Sequence, residues 1–412
     1  MSLIRPFPGL RPAPGRASEV VAPPYDVMSE EEARQMVEGR PWSFLHISRA
    51  EVDLPRGVDP YSPQVYSRAA QNLAEMREAG VLIQDSNPCY YVYRLTMGDH
   101  SQLGVVAAAS VAAYDGGRIK RHELTRPAKE QDRVNQIDAL NAQTGPVFLV
   151  YPEDERIDGL LQDAAEGEPD MDITADDRVR HQLWVLSDSS RSTALSMLFE
   201  ELPALYVADG HHRSAAASRV AARRRQENPQ HSGDEPYDYF LSVIFPQQQT
   251  RILDYNRLVR DLRGLQAEQF LQALTDRFRV EPVSQAVRPQ QSGDFGMYLA
   301  GQWYRLTLDE KYIPLSDPVG RLDVTLLEQH LLDPILGIED QRTDDRIDFV
   351  GGIRGLGALE ERVDSGQWAV AFSLFPTSMK ALMAVSDAGE IMPPKSTWFE
   401  PKLADGLVTH LL

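Results

Sequence analysis

Reactive side chains concentrate in one stretch, Leu205-Tyr206-Val207-Ala208-Asp209-Gly210-His211-His212-Arg213. The apolar run reads as a buried strand, and Gly210 permits a tight turn and a close backbone approach. A helix is expected at once, because Ser214-Ala215-Ala216-Ala217 is small-sided and can lie close to a sheet. A helix start leaves N–H groups unpaired and carries the positive end of the dipole, so the turn at Asp209, Gly210 and Arg213 is expected to hold an anion. Arg213 adds a planar fork matched to phosphate oxygens. His211 and His212 project in different directions from the first turn, so one is expected to face a site while the other packs. A plainer alternative makes Asp209 an N-cap and leaves both histidines on the surface.

A second cluster is Lys120-Arg121-His122-Glu123-Leu124-Thr125-Arg126, followed by Lys129, Glu130, Asp132 and Arg133. Glu123 is the candidate general base, within reach of a substrate hydroxyl. Lys120 and Arg126, with Arg133, are candidate phosphate holders. The alternative is a solvated, charged helix start. His122-Glu123 lacks the second histidine four residues on that a helical zinc site needs, so no metal ligand set is expected. Glu123 is expected to share a pocket with His211 or His212. A third segment, Met392-Pro393-Pro394-Lys395-Ser396-Thr397-Trp398-Phe399, presets its backbone with two prolines. Lys395, Ser396 and Thr397 are expected to bind the same anion, against the alternative of an ordered C-terminal strand. In Ala22-Pro23-Pro24-Tyr25-Asp26-Val27 the prolines stiffen a polar segment that offers Tyr25 and Asp26, or form a surface turn. The glycines of residues 349–357 lack dinucleotide-fingerprint spacing and read as a turn. No nucleophile elbow appears, which argues against Ser-His-Asp hydrolysis.

The elements that position these residues alternate irregularly. Residues 1–24, rich in Pro and Gly, are expected to run extended over the surface. Ser29 and Glu32 form a capping box. Tyr61 to Gly80 reads as a helix, and Tyr90–Thr96 turns at Gly98-Asp99 into a strand over Gly104–Tyr114. A helix then runs to about Ala142. Strands are expected at Pro146–Tyr151, Gln182–Leu186, Leu205–Ala208 and Tyr239–Phe245, with helices at Ser192–Glu201 and His211–Glu227. Polar loops are expected at Gln162–Asp170 and Glu227–Pro236. Beyond Thr250 the reading is a helix over Asn256–Phe278, a hairpin of Met297–Leu299 with Trp303–Leu308, and a helix at Val324–Leu332. Helix, strand and helix follow at Arg354–Asp364, Val370–Leu374 and Ser378–Val385. Hairpins among interleaved elements indicate an α+β fold with a mixed sheet, in two regions, 1–250 and 251–412, the tail of the second returning to the site.

The 412-residue chain is 42% hydrophobic and 25% charged, an ordinary globular composition that needs no staples. Its 61 acidic and 42 basic residues give a net charge of −19, which disfavours non-specific binding of a nucleic acid backbone. The single cysteine, Cys89, excludes a disulfide framework and reads as a buried thiol. No signal-peptide core and no stretch of roughly 18 apolar residues is present, so a cytoplasmic protein without membrane association is expected.

The segments VAPPYDV, IKRHELTR, LYVADGHHR, FVGG and MPPKSTWFEPKLADGL, in this order, resemble a bacterial and archaeal family, domain of unknown function 1015, over Pro6 to Leu412. That resemblance supplies no reaction. The strand, the Asp-Gly-His-His-Arg turn and the alanine-rich helix are also similar to the second box of the ParB and sulfiredoxin-like superfamily. That group includes nucleotide-dependent free serine kinases and CTP-binding partition proteins. The likeness implies a ParB/sulfiredoxin-like core followed by a C-terminal α/β region, nucleotide phosphates on Asp209 to Arg213, and a glutamate near the site. It carries no motif match to Glu123, and the chain lacks the partition proteins' helix-turn-helix. The function expected is a phosphate- or nucleotide-handling enzyme of small molecules, either a phosphotransferase acting, with Mg²⁺, on a hydroxyl substrate such as serine or a nucleotide hydrolase. His211 or His212 would polarise the phosphates, and the ligand would be small and anionic. The alternatives are a nucleotide sensor without turnover and a hydrolase or isomerase of a small acid.

Overall fold

The structure, a computed structural model, describes residues 2–412. Two compact units divide the chain. The first runs through Thr250 and takes back Pro401–Leu412, and the second is Arg251–Glu400.

The first unit is built on a nine-stranded sheet. Its strands are β1 (Ile4–Arg5), β2 (Tyr90–Met97), β3 (His100–Ser110), β4 (Ile119–Lys120), β5 (Val147–Tyr151), β6 (Met171–Thr174), β7 (Arg180–Leu186), β8 (Leu205–Asp209) and β9 (Tyr239–Pro246). They lie in the order β4-β8-β5-β9-β3-β2-β7-β6, with β1 beside β3. The β4–β8 and β5–β9 pairs are parallel, and the rest are antiparallel. The fold is therefore α+β with a mixed sheet, as the irregular alternation of elements indicated. The β2–β3 hairpin turns at Gly98-Asp99. β3 stops earlier than its apolar run indicates, because the Ser110 hydroxyl accepts from the Ala113 N–H and caps a helical turn at Val111–Asp115.

Helices α1 (Pro63–Glu78), α2 (Pro127–Leu140), α3 (Glu155–Ala164), α4 (Ser189–Glu201) and α5 (His211–Glu227) complete the unit's framework. One core cluster joins Tyr90, Val92, Val105 and Ala107 of the sheet to Ile157 and Leu161 of α3, Leu195 and Phe199 of α4, and Ala217 and Ala221 of α5. On α5, Ala216 and Val220 meet Val134 and Ile137 of α2. α3, capped at its start by Asp154, extends through Ala164, three residues into the stretch read as a loop. Cys89 is buried, and burial raises its thiol.

The amino-terminal stretch does not run over the surface. Leu3, Ile4, Phe7 and Leu10 are buried, β1 pairs with Ala108 and Ala109, and Leu10–Pro12 pairs with Leu82–Gln84. The apolar residues there hold more sway than the prolines between them. The last residues complete the same layer: His410–Leu411 pairs with Ala142–Gln143, and Thr409 bridges Leu10.

The second unit has a six-stranded antiparallel sheet. Its strands are β10 (Tyr255–Val259), β11 (Phe278–Val283), β12 (Asp294–Leu299), β13 (Gln302–Leu308), β14 (Ile347–Gly351) and β15 (Val370–Leu374), in the order β11-β13-β12-β15-β10-β14. The helix expected over Asn256–Phe278 is instead β10, a helix over Ala267–Leu274 only, and β11. Tyr255-Asn256-Arg257-Leu258-Val259 is buried on both faces between β14 and β15, where extended, β-branched and aromatic residues fit. The helix then begins at its own capping box, Gln266 with Gln269.

Leu407 is 5% exposed in the returning tail. Leu407→Ala is expected to lower the unfolding free energy of the first unit by about 2–5 kcal/mol. Hydrogen exchange at the Leu10 amide, which donates to Thr409, measures this. Unchanged protection there would show the tail to be dispensable to the unit.

Candidate functional site

Register brings the two charged clusters together. Parallel pairing sets Ile119 opposite Leu205 and Lys120 opposite Tyr206. Continuing both chains past this short pairing leads Arg121–Glu123 alongside the end of β8, so His122 and His211 meet across 89 residues of sequence. The pairing of β8 with β5 is irregular between Val207 and Asp209: Ala208 is the extra residue, and Asp209 pairs with Phe148 at the end of the ladder. Asp209 Oδ1 accepts the Gly210 N–H at 2.8 Å, and Oδ2 lies 3.2 Å from the Lys402 Nζ donor. Burial works to raise this carboxyl, but Lys402 and then Arg213 hold it well below the ordinary carboxylate range. Gly210 has φ 97°, and a Cβ there would stand 3.3 Å from Val147 Cα. Both conditions select glycine at the turn into α5.

The two histidines diverge as first-turn geometry requires. His211 is 3% exposed. Its Nε2 faces the His122 N–H at 3.5 Å, and its Nδ1 lies 3.7 Å from Glu123 Oε2. With Nε2 as acceptor, Nδ1 carries the proton and points it at Glu123. The rings of His122 and His211 meet edge to face, centroids 4.4 Å apart. Burial pushes the His122 imidazole down to about 4 and drives His211 well below its usual value, so both rings are neutral near pH 7. Glu123 keeps its side chain 52% exposed. The pair is thus a solvent-facing carboxylate backed by a buried, oriented imidazole. One ligand atom each of His122, Glu123 and His211 lies within 4.8 Å of the others, so these three residues can hold a divalent cation. The second histidine, His211, follows β8, the strand beside β4, and a search for helical spacing does not reach it. His212 turns the other way, and its Nε2 accepts the Arg126 N–H at 3.0 Å. Arg126 is exposed at the start of α2, and the Lys120 ammonium sits 5.9 Å from the Tyr206 ring centroid.

Arg213 serves the frame. Its Nη1 donates to the Pro146 carbonyl at 2.8 Å, Nη2 lies 3.7 Å from Asp26 Oδ2, and the side chain is 14% exposed. The Tyr25 ring meets two guanidinium groups, Arg133 at 3.9 Å and Arg213 at 5.3 Å from its centroid. The tail adds Asp405, whose backbone pairs with Ala22 and whose carboxyl is 1% exposed. Burial raises that carboxyl to about 7, Arg213 working against the rise and Asp26 with it. Pro24, Asp26, Asp209, Arg213, Lys402 and Leu403 line one shallow pocket. The lysine that meets Asp209 is thus Lys402 of the returning segment. Lys395, Ser396 and Thr397 belong to the second unit. There Lys395 lies 5.6 Å from the Tyr255 ring centroid, and the Ser396 hydroxyl donates to the Pro393 carbonyl at 2.6 Å. The position of Asp405 was not anticipated: a buried acid in a Leu-Ala-Asp-Gly run leaves no pattern of its own.

Asp405 makes the first unit's stability depend on pH. Its folded value lies above the unfolded one near 3.9. Its favourable contribution is complete below that unfolded value and is lost as pH rises through about 7. Asp405→Asn is therefore expected to melt above the unsubstituted protein at pH 8, by several degrees at about 2–4 °C per kcal/mol, with the gap closing toward pH 4. Parallel Tm profiles across that range would show the carboxyl to be ionised in the fold.

No curated protein matches the chain. Among solved structures it is similar to a free serine kinase in complex with AMP, at 10% identity and TM-score 0.34, over 72% of this chain and 86% of that one. A conserved hypothetical protein from Pyrococcus furiosus is similar at 12% identity and TM-score 0.34, over 73% and 93%. SbnI with a C-terminal truncation, from Staphylococcus aureus, is similar at 12% identity and TM-score 0.37, over 72% and 84%. At these values the likenesses assign no activity. The model of the family described as "protein of unknown function (DUF1015)" matches residues 4–325, which include Tyr25, Glu123 and Asp209 to Arg213. The chain, with most of its length and all of this turn inside that match, belongs to the DUF1015 family.

Proposed function

We propose that the first unit binds a nucleotide through its phosphates and transfers the terminal phosphoryl group to a small hydroxyl compound, serine being one such acceptor. The observation that carries this reading is the Glu123–His211 pair, 3.7 Å apart, beside the start of α5. The first N–H groups of a helix have no partner within it and favour an anion. Lys402 at Asp209, with Lys120 and exposed Arg126 on the neighbouring strand and helix start, supplies the positive charge that phosphate oxygens require. Arg213 lends its charge from behind, held by Pro146 and Asp26.

In the proposed step the hydroxyl oxygen attacks the terminal phosphorus. The bond from that phosphorus to the bridging oxygen breaks, and the shortened nucleotide leaves with the electron pair. The hydroxyl proton passes to the Glu123 carboxylate, whose partner His211 carries its proton on the nitrogen facing it. Mg²⁺ bound with the nucleotide would neutralise charge on the phosphates. Such a reaction needs positioning and charge compensation more than covalent chemistry from the protein.

Glu123→Gln keeps the shape of the side chain and removes the proton acceptor. It is expected to slow transfer from ATP to a panel of hydroxyl-bearing amino acids and sugars by about 10²–10⁴-fold, followed by ³¹P NMR, with nucleotide affinity and Tm unchanged. Full turnover in this variant would remove Glu123 from the chemistry. Nucleotide binding by the unsubstituted protein with no acceptor consumed would favour a sensor instead.

A further inference from the structure

His122 has an unusual position for a polar side chain. It is 2% exposed, its ring makes one hydrogen bond to the Val207 backbone, and its Nδ1 has no hydrogen-bond partner among the described residues. A buried nitrogen lone pair is costly to leave unmatched, and each such atom calls for an explanation. Next to it stand a second buried imidazole, His211, with its ring edge to face at 4.4 Å, and the carboxylate of Glu123. One ligand atom from each of the three falls within 4.8 Å of the others.

We propose that His122, His211 and Glu123 form a binding site for a divalent transition-metal ion. Two imidazole nitrogens and one carboxylate oxygen suit Zn²⁺, Mn²⁺, Fe²⁺ or Co²⁺, whereas Mg²⁺ and Ca²⁺ prefer oxygen throughout. Metal–ligand bonds of about 2.0–2.2 Å bring neighbouring ligand atoms closer than they stand here. The two imidazoles are fixed by burial, so the half-exposed Glu123 makes that adjustment. Three protein ligands leave coordination positions for water or a ligand oxygen, the pattern of a reactive rather than a structural site. Charge near the cluster is mixed: Asp209 favours a cation, Lys402 pairs with Asp209, and the Arg121 guanidinium is held over the Tyr114 ring at 5.0 Å. In the second group of metal-binding residue types, His231, Glu235 and Asp238, the Glu235 carboxylate and one Asp238 oxygen already have partners, while Asp238 Oδ2 has no hydrogen-bond partner among the described residues. Glu235 accepts the N–H groups of Ser232, Gly233 and Asp234, and Asp238 takes the Arg225 guanidinium. This site goes beyond the transfer reading and does not require it. Ligation needs the His211 nitrogen that faces Glu123 free of its proton, so the metal takes the tautomer opposite to the one in the transfer step and the long 3.5 Å contact of Nε2 with the His122 N–H is given up.

The test is a Co²⁺ titration of the full chain after treatment with a chelator, without nucleotide or phosphate, followed by visible d–d absorption. The expected result is one equivalent bound with an intensity typical of four or five ligands. His122→Ala should abolish the signal, Glu123→Ala should weaken binding on the order of tenfold or more, and His231→Ala should leave it unchanged. Circular dichroism of each variant confirms that it is folded. No absorption change with the unsubstituted protein would overturn the proposal, as would a signal that persists in both His122→Ala and Glu123→Ala or disappears only in His231→Ala. Pyrophosphate binding, measured by calorimetry in the chelated protein, separates the two ideas. Co²⁺ bound without phosphate affinity would defeat the transfer reading alone, and phosphate affinity without Co²⁺ would defeat this one alone.

Discussion

A guanidinium that is taken out of water must be matched by charge and by hydrogen-bond acceptors, and Arg213 makes that demand at the centre of the first unit. The match comes from pieces remote in sequence: the Pro146 carbonyl at the start of β5, Asp26 in the proline-stiffened segment, and Asp405 in the returning tail. Tyr25 closes the arrangement with its ring against Arg133 and Arg213. The acids that satisfy Arg213 are themselves close enough to repel one another. That repulsion adds to burial in raising Asp405.

On this frame the reactive groups acquire separate roles from their surroundings. Burial keeps His122 and His211 neutral, and Lys402 with Arg213 keeps Asp209 ionised. Glu123, at the end of a two-residue parallel pairing, stays in solvent with an imidazole behind it. A turn that only glycine can make places the first N–H groups of α5 beside these charges. Carboxylate, imidazole, ammonium and helix start are thus available within one unit.

The strand, glycine and helix around Asp209 to Arg213 were legible because each follows a local rule. The apolar run marks a strand, the small residues mark a closely packed helix, and a helix start turns consecutive residues in different directions. The meeting of Glu123 with His211 was legible as chemistry, and the parallel β4–β8 register supplies its geometry. Other features were not legible. The burial of Leu3, Ile4, Phe7 and Leu10 reverses the expectation that proline-rich sequence stays on the surface. β10 contains Arg257, fully buried, where a charged residue in a mixed pattern reads as an amphipathic helix. The protein partners of Arg213 were not legible either, because Asp26 and Asp405 lie about 190 residues away on either side. Lys402, a few residues past Lys395, gains its place from the backbone pairing of Ala22 with Asp405.

The central claim is that the Asp209 turn is a phosphate site whose positive charge is supplied by Lys402. The most direct measurement is the affinity of pyrophosphate for the chelated full chain by calorimetry, with and without Lys402→Met, which keeps an apolar stem and removes the ammonium. The account predicts weaker binding by about tenfold or more, near 1.4 kcal/mol per decade, in a protein that remains folded. Equal affinity in the two proteins would contradict it.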